Sequence, residues 1–421
     1  MKQFIKKLIP KKVFSFFQPL YHFSIALTGA LWYRFPSRNL IVIGITGTKG
    51  KSSTAELVWS ILQEAGYKTA LLSTIHFKID SDSTPNRLKM TMPGLFFVQN
   101  FLRKAVLRKC THAVIEMTSE GVAQYRHKFI ALDALIFTNI TPEHIESHGS
   151  FENYLNAKLK LRDALAHSSK KNKVTVANAD DVHGKDFLDI SGVEKIPFSL
   201  KNTPYALTAT GLELTYKGVV IHSLLEGVFN AENILASVSL AEHLNIPLET
   251  IARGVTSVSK IKGRVEHVRT GQLFDVVVDY AHTPDSLKKL YEAFPHKKKI
   301  CVLGNTGGGR DTWKRPEMGK IAGTYCDMVI LTNEDPYDED PEEIVTAIQK
   351  GVAEAQKEAR IIMDRRTAIY EACLYAQKTE GAVVLISGKG TDPYIMEARG
   401  KKTPWDDVTV ATEVLEKIAR T

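Results

Sequence analysis

The stretch Leu40-Ile-Val-Ile-Gly-Ile-Thr-Gly-Thr-Lys-Gly-Lys-Ser-Ser-Thr54 decides how this chain is read. It runs from a buried apolar strand through a glycine-rich turn into the first turn of a helix. Gly44, Gly47 and Gly50 are expected to let the backbone turn sharply and aim its N–H groups inward. Lys51 adds a point charge, and a helix beginning near Ser52 adds the positive end of its dipole. Such a nest suits a polyphosphate, with Lys51 reaching the outer phosphates and the Ser52 hydroxyl free to ligate Mg²⁺. The common pattern G-x-x-x-x-G-K-[ST] is not met, because Ile45 stands at its first glycine. The variant spacing G-x-x-G-x-x-G-K-S meets the same physical demands.

Working outward, apolar β-rich runs alternate with helical patterns. Strands are expected at 69–73, 112–116, 134–139 and 173–178, and helices at 52–65, 95–109 and 151–167. The segment 205–228 reads as hairpins, with turns at Thr210-Gly211 and Lys217-Gly218, before a helix at 231–244. Around 260–263 the pattern restarts. Strands at 274–279, 299–303, 328–332, 360–363 and 382–387 alternate with helices after Pro284, Pro316, Pro341, Arg365 and Asp406. At 421 residues the chain is too long for one core. The expected fold class is α/β: a central P-loop ATPase domain with a mostly parallel sheet (39–260), then a C-terminal Rossmann-like α/β domain (261–421), after a basic, aromatic segment (1–38). Two such lobes hold their chemistry in the crevice between them, at strand carboxyl ends.

The net charge of +8 is unevenly placed. Lys2, Lys6, Lys7, Lys11, Lys12, Arg34 and Arg38 fall in residues 1–38, which carry no acid, so the rest of the chain holds a net +1. That argues against a nucleic-acid partner. Cys110, Cys301, Cys326 and Cys373 are scattered, fitting neither a zinc site nor a disulfide framework, and a reducing, cytoplasmic setting follows. The aromatic run 13–33 behind the lysines could be a signal peptide, but the phosphate loop follows closely and needs cytosolic nucleotide. Gln18, Pro19 and His22 weaken a transmembrane reading. Two readings stay open: an interfacial anchor that places the protein at the inner face of the membrane, or aromatic packing on the body or a partner.

Several side chains sit at expected strand ends. Glu116 closes 112–116, where a carboxylate can meet Mg²⁺ on a nucleotide. The loop after 134–139 carries Glu143, His144, Glu146 and His148, suited to metal binding or proton handling, though any one of them alone reads as a solvated loop residue. Lys158 and Lys160 lie on the next helix and singly would pass as surface lysines. Asp279 and His282 stand at the lobe boundary. Gly304–Pro316 is a second glycine-rich turn, with Arg310 suited to an anionic substrate.

Eleven runs in order carry a resemblance: GITGTKGKSST (44–54), TMPGLFFVQNFL (91–102), EMTSEGVAQYR (116–126), FTNITPEHIESHGSFENYLNAKLKL (137–161), NADD (178–181), GVFNAENILAS (227–237), GRVEHV (263–268), VDYAHTPDSL (278–287), GGGRDTWKRPEMG (307–319), DRRTAI (364–369) and ISGKG (386–390). Together they resemble the Mur ligases, most closely the branch that adds the third residue of the peptidoglycan stem peptide. The resemblance implies ATP-dependent amide formation through an acyl-phosphate, with ATP and Mg²⁺ as cofactors, a muramoyl-peptide-like acceptor and an amino acid as substrates, and a monomer. It assigns Gly47, Thr48, Lys49, Gly50, Lys51, Ser52 and Ser53 to ATP. Ser52 and Glu116 would serve one Mg²⁺, and His144 with a carbamylated Lys158 a second; Lys51, Glu116, His144 and Lys158 form the catalytic set. Asn233, Arg264 and Asp279 would contact the nucleotide from the hinge and second lobe. Thr91, Thr118, Gln124 and Arg126 would grip the acceptor. Arg310, Glu334, Asp335, Tyr337, Gly388 and Asp392 would surround the incoming amino acid.

The departures from the family pattern carry information. Only residues 1–38 precede the phosphate-loop strand, where the family has a whole domain for the UDP end of the acceptor, so that domain is expected to be absent and a lipid-linked acceptor conceivable. The Asp-Asn-Pro-Arg run of diaminopimelate-adding members reads Glu334-Asp335-Pro336-Tyr337 here, and Gly-Lys-Gly-His-Glu reads Gly388-Lys-Gly-Thr-Asp392. Tyrosine cannot clamp a distal carboxylate, whereas the acidic cluster 334–340 could attract a distal ammonium, favouring a diamino acid such as lysine. A folylpolyglutamate or poly-γ-glutamate synthase-like ligase, a P-loop kinase and a non-catalytic ATP-binding subunit are the alternatives.

Overall fold

The structure is a computed structural model and describes residues 11–420 apart from His144 and Arg310. Its larger sheet has eight strands: β1 (Ile41–Thr46), β2 (Thr69–Leu72), β3 (His76–Ile79), β4 (Asp82–Pro85), β5 (His112–Glu116), β6 (Ala134–Phe137), β7 (Val174–Asn178) and β8 (Glu194–Phe198). The spatial order is β4-β3-β2-β5-β1-β6-β7-β8. All neighbours run parallel except β2–β3 and β3–β4. The phosphate-loop strand β1 therefore lies mid-sheet, buried on both faces, which is why it reads as an unbroken apolar run. Helices Lys51–Glu64 and Val228–His243 cover one face, and Leu95–Leu107 and Phe151–Ala166 the other.

The hairpin segment forms an antiparallel sheet of β9 (Tyr205–Thr208), β10 (Gly211–Tyr216) and β11 (Val219–Ser223). Its Leu212, Leu214 and Ile221 join the first core. The second lobe has β12 (Glu266–His267), β13 (Asp275–Asp279), β14 (Lys298–Leu303), β15 (Met328–Leu331), β16 (Ala359–Ile361) and β17 (Ala382–Ser387), in the order β12-β13-β17-β14-β15-β16. Only β12 is antiparallel to its neighbour. Cores on both faces of this sheet complete the expected α/β lobe.

Expected elements fall within a few residues of their bounds, but β8 and the helix Leu248–Thr256 were not expected, and three further differences matter. The strands β3 and β4 were not anticipated; β4 is exposed along its whole length and has no apolar alternation to reveal it. Gly44 lies inside β1 rather than at the turn. Its absent side chain matters for packing, since a Cβ there would sit 3.0 Å from the Met117 sulfur. The cysteine expectation is overturned: Cys301 and Cys326 form a disulfide. Cys326 directly precedes β15, which pairs with β14 in the register Ile300↔Met328, so parallel pairing brings the two Cα atoms to 6.2 Å across 25 residues of sequence. Cys110 and Cys373 are buried and free.

The aromatic segment is a helix over Lys11–Trp32. Ala26 and Ala30 are buried, and Gly29 lies against Phe96 of helix Leu95–Leu107. Phe23 and Phe35 meet Phe129 edge-on, so part of the segment packs on the body. The opposite face presents Phe17, Leu20, Tyr21, Leu31 and Trp32 to solvent, with Ser24 and Thr28 between them. Among the described residues no helix is long and apolar enough to cross a membrane.

Candidate active site

The phosphate loop is tightly curled. Gly47 (φ 151°) and Gly50 (φ 83°) hold positive-φ conformations, and a Cβ on either would fall 2.0 Å from Thr138 Oγ1 or 2.2 Å from Asn233 Oδ1. Thr138 Oγ1 donates to Lys49 O at 2.7 Å, and Asn139 Oδ1 accepts from Lys49 N at 2.9 Å, pinning the loop to the end of β6. Thr48 N donates to Asn139 O, and the Thr48 hydroxyl meets Tyr154 Oη at 3.0 Å. Lys51 Nζ donates to the carbonyls of Gly47 (3.0 Å) and Thr48 (2.9 Å), and burial holds its pKa below the ordinary value despite Glu116 and Glu143 nearby. Ser53 is buried in the first turn behind it.

Glu116 reaches the same place because β5 pairs with β1 in the register Ile45↔Glu116. The Ser52 hydroxyl donates to Glu116 Oε2 at 3.1 Å, and Thr74 donates to both carboxylate oxygens, from N at 2.8 Å and Oγ1 at 3.0 Å. Burial raises the Glu116 pKa, with Lys51 opposing it. A serine hydroxyl and a carboxylate are hard oxygen donors that suit Mg²⁺. Among the described residues no group of three or more His, Cys, Asp or Glu side chains is gathered that could hold a metal ion.

Lys158 is buried, unlike the exposed Lys160 two residues on, and its Nζ donates to Gly47 O at 2.7 Å. Burial, then Lys51, drives its pKa well below that of an ordinary lysine. Glu143 is buried in the loop after β6, 3.2 Å from Lys49 Nζ and 3.0 Å from His282 Nε2 of the second lobe. The amide of Asp311, also from the second lobe, donates to Glu146, and His148 Nε2 meets Ser119 Oγ at 3.1 Å. His144, expected beside Lys158, and Arg310, expected at the amino-acid end, lie outside the described residues.

The second lobe closes the cleft. Arg264 approaches Ser52 Oγ at 3.5 Å and stacks over the Tyr280 ring at 4.6 Å. Asp279 ends β13, where its carboxylate accepts from the amides of Val265 (2.8 Å) and Ala281 (2.7 Å) and burial raises its pKa. Asn233, on the helix behind the loop, accepts from Thr54 at 3.3 Å. One cavity of about 410 Å³ connects Lys49–Ser53, Glu116, Asn233, Arg264 and Asp279 to the four expected acceptor residues Thr91, Thr118, Gln124 and Arg126. Thr91 Oγ1 lies 2.8 Å from Thr74 Oγ1, linking the acceptor end to Glu116. Arg126 donates to Gln124 Oε1 at 2.6 Å and to Met92 O, bracing the loop that carries Thr91. Thr118 caps helix Ser119–Ala123.

At the end expected to take the amino acid most side chains pair with one another, while Glu334 Oε2 and Arg365 Nη1 are buried with no hydrogen-bond partner among the described residues. Glu334 accepts from Thr306 at 2.8 Å, and burial raises its pKa, with Arg365 opposing. Gly388 (φ 106°) exists for that glutamate, because a Cβ would sit 2.1 Å from its Oε2. Arg365 is locked to Asp407 in a buried ion pair at 2.8 Å. Asp335 is not an open acidic patch: Lys389 Nζ lies 2.7 Å from it, Met396 N donates to it at 2.7 Å, and Lys89 Nζ of the first lobe lies 2.8 Å away. Asp392 takes Lys89 at 2.8 Å. Tyr337 adopts φ 54°, its amide donating to Met396 O. Sequence reasoning missed Lys89, Thr74, Lys389 and the Arg365–Asp407 pair. Lys389 and Arg365 sat inside quoted motifs, while Lys89, two residues before TMPG, gave no signal.

Comparison with known proteins agrees with this geometry. The chain matches the Mur ligase middle domain over residues 45–241 and the Mur ligase glutamate ligase domain over 263–390. It is 32% identical over 407 residues to a UDP-N-acetylmuramoyl-L-alanyl-D-glutamate–2,6-diaminopimelate ligase of Cytophaga hutchinsonii, covering 94% of this chain and 82% of the relative. It is 34% identical over 427 residues to a UDP-N-acetylmuramyl-tripeptide synthetase of Roseiflexus sp., with coverages of 94% and 82%. A solved diaminopimelate ligase superposes with a TM-score of 0.61 at 28% identity, over 91% of this chain and 79% of that one. The chain thus belongs to the Mur ligase family, in its tripeptide-synthetase branch, and is an ATP-dependent, ADP-forming amide ligase.

Proposed function

We propose that the protein joins a diamino acid to the carboxylate of a muramoyl-dipeptide-like acceptor in peptidoglycan precursor synthesis. The observation that carries this reading is the single cleft in which the phosphate loop, Glu116, Arg264 and Asp279 meet Thr91, Thr118, Gln124 and Arg126. The acceptor carboxylate attacks the γ-phosphorus of ATP and the bond to ADP breaks, leaving an acyl-phosphate. The amine then attacks the acyl carbon, phosphate departs and the amine loses a proton. Lys51 and Arg264 draw the two anions together against their repulsion, and the closed lobes exclude water that would hydrolyse the anhydride. Ser52 and Glu116 would hold one Mg²⁺, and His144 with Lys158 would serve a second, ions that would neutralise charge at the phosphates. Burial lowers the Lys158 pKa, which favours the neutral amine that attacks carbon dioxide, and we assign it a carbamate.

The units 39–260 and 261–421 act as two lobes about a hinge near 260–263, with His144 and Arg310 in the roles given by the family pattern. Of the two relatives, that of Cytophaga hutchinsonii is named for diaminopimelate and that of Roseiflexus sp. is not. Tyr337 offers no bidentate cation for a distal carboxylate, which favours lysine over diaminopimelate here. The protein is read as a cytoplasmic monomer with no nucleic-acid partner, touching the inner membrane surface through residues 1–33. The apolar side chains that residues 17–32 of the first helix expose support that contact, and co-sedimentation with anionic vesicles that survives Leu20→Glu plus Leu31→Glu would remove it.

The central test is ADP release with mass spectrometry of the product, across acceptors with and without UDP and a panel of amino acids. A new amide requiring acceptor, diamino acid and ATP together is expected. Turnover only with folate or poly-γ-glutamate acceptors, phosphorylation without ligation, or no turnover with any pair overturns the proposal.

A further inference from the structure

The amino-acid end holds a charge arrangement that neither lobe completes alone. In the second lobe Asp335 and Asp392 share the fully buried Lys389, at 2.7 and 3.5 Å. Two carboxylates against one ammonium leave that lobe one negative charge in surplus. The missing cation comes from the other lobe, where Lys89 Nζ sits 2.8 Å from both carboxylates. Lys89 occupies the tip of the loop 86–92, whose base is tied by Asn86 Nδ2 to Ser73 O and Met90 O, both at 3.0 Å, and by Arg126 to Met92 O. Its backbone takes φ 50°, an unfavourable conformation for a residue with a side chain, sustained where surrounding contacts over-determine it. Lys89 also lines the cleft, whereas Asp335 and Asp392 are not among its lining residues, so the lysine stands between the cavity and the acids.

We infer that Lys89 is an internal competitor for an ammonium subsite: its side chain fills the Asp335–Asp392 pair, and the distal ammonium of the incoming diamino acid displaces it. An amino acid without a distal cation cannot offset the loss of those ion pairs and is disfavoured. Lys89 is therefore a specificity-determining residue supplied by the lobe opposite the pocket. This inference rests on the proposed function for the identity of the pocket.

The test compares Lys89→Met with the unaltered protein, using lysine and norleucine, which differ in the distal ammonium. The KM for lysine is expected to fall roughly fivefold, the scale of a partly exposed ion pair, with kcat and the acceptor KM little changed and no gain for norleucine. Lys89→Gly, which suits the left-handed backbone, should behave alike. An unchanged or raised KM for lysine, or a rise confined to the acceptor KM, overturns the inference. Calorimetric titration with 1,5-diaminopentane needs no turnover and is expected to show tighter binding to both variants. Tighter binding in a protein that ligates no amino acid would keep the subsite and sink the proposed function instead. Equal binding alongside active ligation would sink the subsite alone.

Discussion

At the phosphate end of the cleft, Lys51, Ser52 and Glu116 come from adjacent strands of one sheet and their exits, so their relative positions are fixed by the β1–β5 ladder. At the amino-acid end, Lys89 comes from one lobe while Asp335, Lys389 and Asp392 come from the other, so their geometry exists only when the lobes meet. A site built on one ladder keeps its shape and serves a substrate shared across a family. A site divided between lobes can change partners by altering one loop. On the proposed function, the contrast puts a fixed geometry where ATP binds and an adjustable one where the amino acid is chosen.

The largest expected effect breaks the phosphate end. Lys158→Ala should lower kcat on the order of a hundredfold or more, because it removes the group proposed to carry the carbamate that serves the second metal ion. The α-helical signal and fold should persist, and added short carboxylic acids should rescue part of the rate if a carbamate is lost. Near-normal turnover would show that Lys158 only buttresses Gly47.

A smaller, local effect is expected at the other end from Gly388→Ala. Its φ of 106° and the 2.1 Å approach of Glu334 make any side chain strained. The KM for the amino acid should rise roughly tenfold, the scale of such strain, while that for ATP stays close to its original value. Equal rises in both would mean the two ends are not independent.

The smallest effect sharpens the comparison through pH. His112 and His127, both buried in the first lobe, are held by desolvation at about 4 and about 3, below the ordinary 6.5. They are neutral in the folded protein, whereas the unfolded chain takes up protons below about pH 6.5. Their contribution is complete above that value and is lost progressively as pH falls toward 4. Thermal unfolding should shift downward over that window, and His127→Asn should flatten the acid limb.

What could be read from sequence follows the same division. The phosphate loop was legible because its glycines, lysine and serine are contiguous and each has a local reason to be there. Glu116 was legible because a carboxylate closing an apolar strand is rarely idle. Gly44 misled, since a glycine near a turn resembles a glycine in it, and only its distance from Met117 shows a packing role. Lys89 was invisible because its partners lie 246 residues and more away. The acidic run 334–340 read as an open ammonium trap because sequence does not show that Lys389 and Lys89 already pair with Asp335, and Arg315 with Glu339. Cys301 and Cys326 were hidden similarly, by a parallel crossover whose register no local pattern encodes.

The shared height of the phosphate loop and Glu116 on their sheet has a further consequence. Swinging the lobes apart would withdraw Arg264 and Asp279 yet leave Lys51, Ser52 and Glu116 in register. On the proposed hinge, holding the phosphates is therefore the work of one lobe, and bringing the arginine to them is the work of both.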